Sequence, residues 1–101
     1  MIRSVMKTHF NKEFLKDSTE TLRAIAHPIR IAIVDLLYHN GQMTVTDIYE
    51  KLNIEQAIAS HHLRILKNKK VVNDERDGKN SIYSLRNPAF YDIVKTLTKV
   101  L

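Results

Sequence analysis

The pattern that most constrains the fold lies in residues 44–69, where two short helical patterns are separated by a tight turn. Apolar residues of the second pattern recur at the spacing of one helical face, and small polar and basic residues occupy the other side. Ala59, Leu63 and Leu66 are therefore predicted to face inward on a helix from about residue 56 to 69. This order predicts a helix-turn-helix whose second helix presents a polar face to solvent.

Two predicted strands follow the second helix. They cover residues 71–76 and 81–85, and the turn pair Asp77-Gly78 lies between them. Glycine tolerates the positive φ that a tight hairpin needs. Residues 71–86 are therefore predicted to form a β-hairpin wing, and such an order can place a helix in the major groove of DNA with a hairpin beside it.

Residue choices at the helix ends predict where the neighbouring helices begin and end. His27-Pro28 breaks one helix and starts another, because proline fits the first turn of a helix but not its interior. Thr44, with Asp47 three residues later, fits a capping box at the start of the helix-turn-helix.

The two ends of the chain carry apolar stripes of their own. Residues 2 to about 16 are predicted to form an amphipathic helix, and a second helix is predicted to start near Asp17, with Glu20 completing a capping box. Asn87-Pro88 is predicted to open a last helix, with asparagine as the cap.

The terminal stripes predict a homodimer. Segments 1–17 and 87–101 are the predicted dimerisation helices, because so small a domain has a limited core of its own. A twofold dimer would also present two recognition helices ~34 Å apart, one DNA turn. The alternative is that both stripes fold onto the core of one protomer. The predicted interface residues are Ile2, Met6, Phe10, Phe14, Phe90, Ile93, Val94 and Leu97.

Composition limits the classes of function. The 101 residues suffice for one domain, residues 1–101, and the net charge of +5 favours a polyanionic partner such as nucleic acid. The chain contains no cysteine, which excludes disulfides and thiolate metal sites and fits a cytoplasmic location. The sequence contains neither an apolar run long enough to cross a membrane nor a constellation of catalytic residues, so we expect no membrane association and no enzyme activity.

Four segments together resemble the ArsR/SmtB family of winged-helix repressors. They are LRAIAHPIRIAIVDLL, MTVTDIYEKL, ASHHLRILKNKKVV and DGKNSIYSL, and the resemblance covers roughly residues 20 to 86. It implies a mainly α winged helix-turn-helix fold, a homodimer, and binding to double-stranded operator DNA as a transcriptional repressor. In many family members an inducer, frequently a metal ion, weakens DNA binding.

The predicted DNA contacts lie on the outward face of the second helix and on the wing. Glutamine can pair with an adenine edge, arginine and lysine suit guanine or phosphate, and a small apolar side chain can contact a thymine methyl. We expect the helix to contribute more binding than the wing. The predicted contact residues are Gln56, Ala57, Ser60, His61, Arg64, Lys67, Arg76 and Lys79.

The wing departs from the family pattern through its acidic residues. Asp74 stands where an aromatic or apolar residue is common, Glu75 where a basic one is common, and with Asp77 they make the wing nearly neutral. Repulsion from phosphate would weaken its contact with DNA. This feature supports an alternative hypothesis, a winged-helix module that binds protein partners without specific DNA binding.

The metal ligands of the family are missing from the matching positions. The resemblance aligns Thr44 and Thr46 with a Cys-x-Cys pair, and the last helix offers Asp92 but no histidine. Threonine hydroxyls are poor ligands for soft metals. We therefore predict no metal site and no cofactor. The pattern does not define a small-molecule effector, although aromatic residues of the terminal helices would line any apolar site in the dimer seam.

Overall fold

The computed structural model describes residues 7–101, which form five helices and a three-stranded antiparallel sheet. The elements in chain order are α1 (Lys12–Ile25), α2 (Pro28–Asn40), β1 (Gln42–Thr44), α3 (Val45–Leu52), α4 (Gln56–Asn68), β2 (Val72–Asp77), β3 (Asn80–Leu85) and α5 (Ala89–Leu97). Helix α3, the turn at Asn53 and helix α4 make the predicted helix-turn-helix, and β2 and β3 make the wing.

The predicted boundaries of the N-terminal helices are wrong. A single helix, α1, begins at Lys12, where the Asn11 side chain accepts a hydrogen bond from the backbone N–H of Phe14 at 2.8 Å. Asp17 lies inside this helix and caps nothing. The Glu20 carboxylate instead accepts a 2.7 Å hydrogen bond from the Lys69 ammonium at the end of α4, and the two groups form an ion pair. This charged hydrogen bond lowers the pKa of the Glu20 carboxyl. The part of the prediction that falls on residues 2–6 lies outside the described residues.

The helix break at His27-Pro28 is confirmed. The Nδ1 atom of His27 accepts a hydrogen bond from the backbone N–H of Ile29 at 3.1 Å, and Pro28 occupies the first turn of α2. This helix ends at Gly41, whose φ of 79° is accessible to glycine and whose N–H donates to the carbonyl of Leu37 at 2.9 Å. The break lets α2 turn away from α1 and pass through the centre of the core.

The hairpin is confirmed, with a turn shifted by one residue. Strand order in the sheet is β1-β3-β2, and Asp77 pairs with Asn80, so Gly78 and Lys79 are the two loop residues. Gly78 has a φ of 62°, which supplies the positive φ that the turn needs. The short segment before α3 joins the sheet as β1, where Met43 pairs with Tyr83 of β3. The wing is thereby anchored to the start of the helix-turn-helix.

The core lies between α2, the inner face of α4 and the base of the wing. Ala59, Leu63 and Leu66 of α4 are fully buried, as the helical spacing predicted. Phe90 and Val94 of α5 pack against this core, together with Tyr91. The buried cluster consists of Ala24, Ile25, Ile33, Val34, Leu37, Met43, Ile48, Leu63, Leu66, Val71 and Val72.

The last helix is shorter than predicted. The Asn87 side chain accepts a hydrogen bond from the backbone N–H of Ala89 at 2.9 Å, as expected of a cap, but α5 ends at Leu97 rather than at the end of the chain. Val100, which the prediction placed on the apolar stripe, is exposed in the turns beyond it. In the described part of the chain, no helix is both long and apolar enough to cross a membrane.

The capping box at Thr44 makes a testable contribution to stability. The Thr44 hydroxyl accepts a hydrogen bond from the backbone N–H of Asp47 at 3.1 Å. The Asp47 carboxylate accepts a hydrogen bond from the backbone N–H of Thr44 at 3.3 Å. We expect Thr44→Ala to lower the free energy of unfolding by about 1 kcal/mol, the usual cost of losing such a cap. Chemical denaturation checks this, with Thr46→Ala at the neighbouring exposed position as control. Equal stability of the two variants would contradict the assignment.

Candidate nucleic-acid interface

Helix α4 has one buried face and one face open to solvent. Gln56, Ala57, His61 and Arg64 are exposed, and Ser60 is half-buried beside them. The opposite face carries the fully buried core residues described above. The burial of that face fixes the rotation of the helix about its axis. The predicted contact residues that belong to α4 therefore lie on the face away from the core.

A polar link between helices holds α4 in place. Arg30 of α2 donates from Nε to the carbonyl of Ala24 at 2.6 Å and contacts Nδ1 of His62 through Nη1 at 3.1 Å. One guanidinium therefore joins the end of α1 to the recognition helix. No local pattern in the sequence indicates this role for Arg30, since its partner lies 32 residues away.

His62 is buried beside the ring of His27. Its side chain is 7% exposed, and its ring lies 4.3 Å from that of His27, measured between centroids. Burial lowers the pKa of the His62 imidazole, and the nearby His27, Arg30 and His61 lower it further. Because Arg30 can only donate, Nδ1 of His62 must accept, and a proton at that nitrogen would replace a hydrogen bond with repulsion.

A polar cleft of about 310 Å³ separates the N-terminal end of α4 from the wing tip. It brings Gln56 and Ser60 of α4 together with Lys79 of the wing. Hydroxyls, amides and one ammonium group line it, which are the donors that proteins use to contact phosphate oxygens. The lining residues are Thr44, Val45, Thr46, Gln56, Ser60, Lys79, Asn80, Ser81 and Tyr83.

The other end of α4 meets the wing through an ion pair. Lys67 approaches both carboxylate oxygens of Asp74 at 3.1 Å. Tyr83, the cross-strand partner of Asp74, is partly buried, and burial raises the pKa of its phenol, with a further contribution from Asp74. The predicted contact residue Lys67 is thus engaged within the protein, whereas Arg76 and Lys79 are exposed on the wing.

The positions that the resemblance aligns with metal ligands are not brought together as a metal site in the part of the chain that the structure describes. The Thr44 hydroxyl is engaged in the capping box, and Thr46 and Asp92 are exposed on different elements. Within residues 7–101, no group of three or more histidine, aspartate or glutamate side chains is placed to hold a metal ion.

The predicted interface residues divide between two environments. Phe14 is 49% exposed and Leu97 is 45% exposed. The ring of Phe10 packs against that of Phe14 at a tilt of 32°, with centroids 4.8 Å apart. Phe14 and Ile93 line one apolar groove between α1 and α5. Phe90 and Val94 instead give much of their surface to the core of their own protomer. Ile2 and Met6 lie outside the described residues.

A helix-turn-helix with an exposed polar recognition helix and an adjoining hairpin defines a winged-helix DNA-binding protein. The model of the arsR family of bacterial regulatory proteins matches residues 27–74. Transcriptional repressor PagR of Bacillus anthracis is 36% identical over 86 residues, which are 85% of this chain and 86% of PagR. Transcriptional repressor SdpR of Bacillus subtilis is 43% identical over 72 residues, which are 71% of this chain and 79% of SdpR.

Solved structures agree with the sequence comparisons. The crystal structure of PagR superposes with a TM-score of 0.77 and covers 86% of this chain and 99% of its own. NolR from Sinorhizobium fredii superposes with a TM-score of 0.78 at 26% identity, over 94% of this chain and 96% of its own. The chain belongs to the arsR family of bacterial regulatory proteins and is a DNA-binding transcriptional regulator.

The buried His62 predicts a loss of stability in acid. Its pKa lies below the ordinary value of 6.5, so under about pH 6.5 the unfolded chain binds a proton that the folded chain does not. The free energy of unfolding should therefore have its highest value above that pH and decrease as the pH drops toward the lowered pKa. Denaturation between pH 5 and 8, a range of about three units around the histidine value, measures this.

The control for this prediction is the exposed neighbour. His62→Gln keeps an acceptor for Arg30 without a titrating ring and should flatten the pH dependence, whereas His61→Gln removes an exposed histidine from the same helix. If both variants flatten the pH dependence of the free energy of unfolding equally, His62 is not the source of the loss of stability in acid.

Proposed function

We propose that this protein is a homodimeric repressor that binds operator DNA by inserting α4 into the major groove, with the wing alongside the backbone. The observation that carries the proposal is the exposed polar face of α4, fixed in orientation by its fully buried opposite face. The assignment as a repressor is supported by relatives that bear that name, PagR and SdpR.

Base contacts are assigned to the exposed N-terminal part of α4. Gln56 suits a bidentate pair of hydrogen bonds with adenine, and Arg64 suits guanine or phosphate. Ala57 and the partly exposed Ile58 suit contact with thymine methyl groups. These roles follow from side-chain chemistry and from the exposure of each residue in the structure.

Phosphate contacts are assigned to the cleft and the wing. Ser60 and Lys79 face the same cleft from opposite sides, so one phosphate group could be held by both elements. His61 of α4 and Arg76 of the wing are exposed and suit contacts with other phosphates. Such contacts fix the position of α4 on the duplex but do not select a sequence.

Dimerisation is assigned to the exposed apolar residues of α1 and α5. Phe14, Ile93 and Leu97 lie on this surface, and their burial against a second copy would remove them from water. A twofold axis there would set the two α4 helices ~34 Å apart, as two half-sites on one face of DNA require. Phe10 belongs to the same proposed interface. Phe90 and Val94 contribute less surface to it, because they already pack against the core of their own protomer.

No cofactor or metal effector is part of this proposal. The positions that the resemblance aligns with a Cys-x-Cys metal site carry Thr44 and Thr46, whose neutral hydroxyls bind soft metals poorly. A regulator of operator DNA would act in the cytoplasm, in keeping with a chain without cysteine.

Fluorescence anisotropy with labelled duplexes tests the proposal. One duplex carries the DNA upstream of the gene for this protein, and a scrambled duplex of the same composition is the control. Binding should prefer the upstream duplex, saturate at one dimer per site and weaken steeply between roughly 50 and 200 mM salt. Flat anisotropy on both duplexes at low salt would contradict operator binding and would favour a protein partner.

The balance between helix and wing gives a second prediction. Arg64→Ala should reduce operator affinity more than Lys79→Ala, because the acids Asp74, Glu75 and Asp77 oppose the approach of the wing to phosphate. Binding curves for the two variants on the upstream duplex measure the order. The reverse order would assign the larger share of binding to the wing.

The proposed dimer surface gives a third prediction. Leu97→Asp places a charge on the apolar surface and should shift the protein to a monomer in sedimentation equilibrium, with weaker operator binding. Lys95→Glu, an exposed change on the same helix, is the matched control and should remain a dimer. If Leu97→Asp also remains a dimer, the interface lies elsewhere.

A further inference from the structure

The ion pair between Lys67 and Asp74 joins the recognition helix to the wing. The Lys67 ammonium lies 3.1 Å from both oxygens of the Asp74 carboxylate, so one side chain occupies both acceptors. The Asp74 side chain is 23% exposed and that of Lys67 is 51% exposed. The lysine therefore sits at the solvent edge of α4, while the carboxylate lies behind it against the helix.

Strand geometry explains why Asp74 faces α4 and the neighbouring acid does not. Side chains of successive strand residues point to opposite faces, so Asp74 and Glu75 of β2 diverge. Asp74 pairs across the strands with Tyr83, a residue of the cleft lining, whereas Glu75 is exposed. Of the two acids, only Asp74 is bonded to a cation of the recognition helix.

We propose that Asp74 withholds Lys67 from the DNA phosphates and thereby lowers the operator affinity of this protein. The inference rests on the proposed function, in which α4 enters the major groove, and it adds that Lys67, an exposed residue one turn beyond Arg64, would contact the DNA backbone if it were released.

Counterion release gives the physical reason. A lysine that neutralises a phosphate releases a cation from DNA, and each such contact makes the dependence of affinity on salt steeper by about 0.9 in logarithmic slope. A lysine already neutralised by a carboxylate contributes little of this, and its carboxylate repels any phosphate that approaches. Because exposed ion pairs are weak and are screened by salt, Asp74 lowers affinity without preventing binding.

Asp74→Asn tests the inference, since it keeps the shape of the side chain and removes its charge. The salt dependence of operator binding should become steeper by about 0.9, because Lys67 gains a phosphate contact. Affinity at moderate salt should rise roughly five-fold, the upper range for an exposed ion pair. The measurement is anisotropy on the upstream duplex at several salt concentrations, with thermal unfolding to verify that each variant is folded.

Two further variants separate this effect from a change in overall charge. Glu75→Gln raises the net charge by the same unit on the adjacent residue and relieves the same repulsion of phosphate, but it releases no lysine of α4. It should therefore change the slope by clearly less than Asp74→Asn does. The double variant Asp74→Asn with Lys67→Gln should return the steeper slope of Asp74→Asn to the wild-type value, because the released lysine is then absent.

The outcomes distinguish the inference from the proposed function. A steeper slope in Asp74→Asn that is reversed by Lys67→Gln supports the inference. An unchanged slope in Asp74→Asn, or an equal change in Glu75→Gln, overturns it while wild-type binding still supports a repressor. If the wild-type protein and all variants fail to bind the duplex at low salt, operator binding itself is overturned, and the inference with it.

Discussion

Burial of the apolar face of α4 is the constraint on which the presentation of the recognition helix depends, and the contact of Arg30 with His62 adds a polar link to it. One guanidinium joins the carbonyl of Ala24 at the end of α1 to the ring of His62 in α4. Hydrogen bonds that place a charged donor in a partly buried setting are stronger than neutral ones. The arrangement needs a neutral imidazole with Nδ1 free to accept, so the chemistry of a core residue determines how the DNA-binding surface is held.

The remaining surface follows from that placement. With Ala59 and Leu63 turned into the core, the polar face of α4 is open to solvent and has the wing beside it. The wing reaches α4 at two points, the cleft around Ser60 and the ion pair at Asp74. In the proposed complex, the first point adds hydrogen-bond donors to the surface that faces DNA, and the second occupies one donor. We therefore propose that affinity is adjusted at the junction of helix and wing as well as on the helix itself.

Local patterns in the sequence predicted most of the fold, and tertiary contacts account for what they missed. The capping box at Thr44 and the burial of Leu63 depend on neighbours within a few residues, so spacing alone revealed them. The start of α1 was misplaced because Asn11 and Asp17 are both residues that cap helices, and only the structure shows which one does so. The role of Arg30 depends on a partner in another helix, which no local pattern can reveal.

The most direct test of the account is a titration of the ¹⁵N-labelled protein with the upstream duplex, followed by the amide chemical shifts of each residue. The account predicts the largest changes along the exposed face of α4, at Gln56, Ser60 and Arg64, smaller changes in the wing, and little change at Phe14 and Leu97. Changes concentrated on α1 and α5, with the face of α4 unaffected, would contradict it.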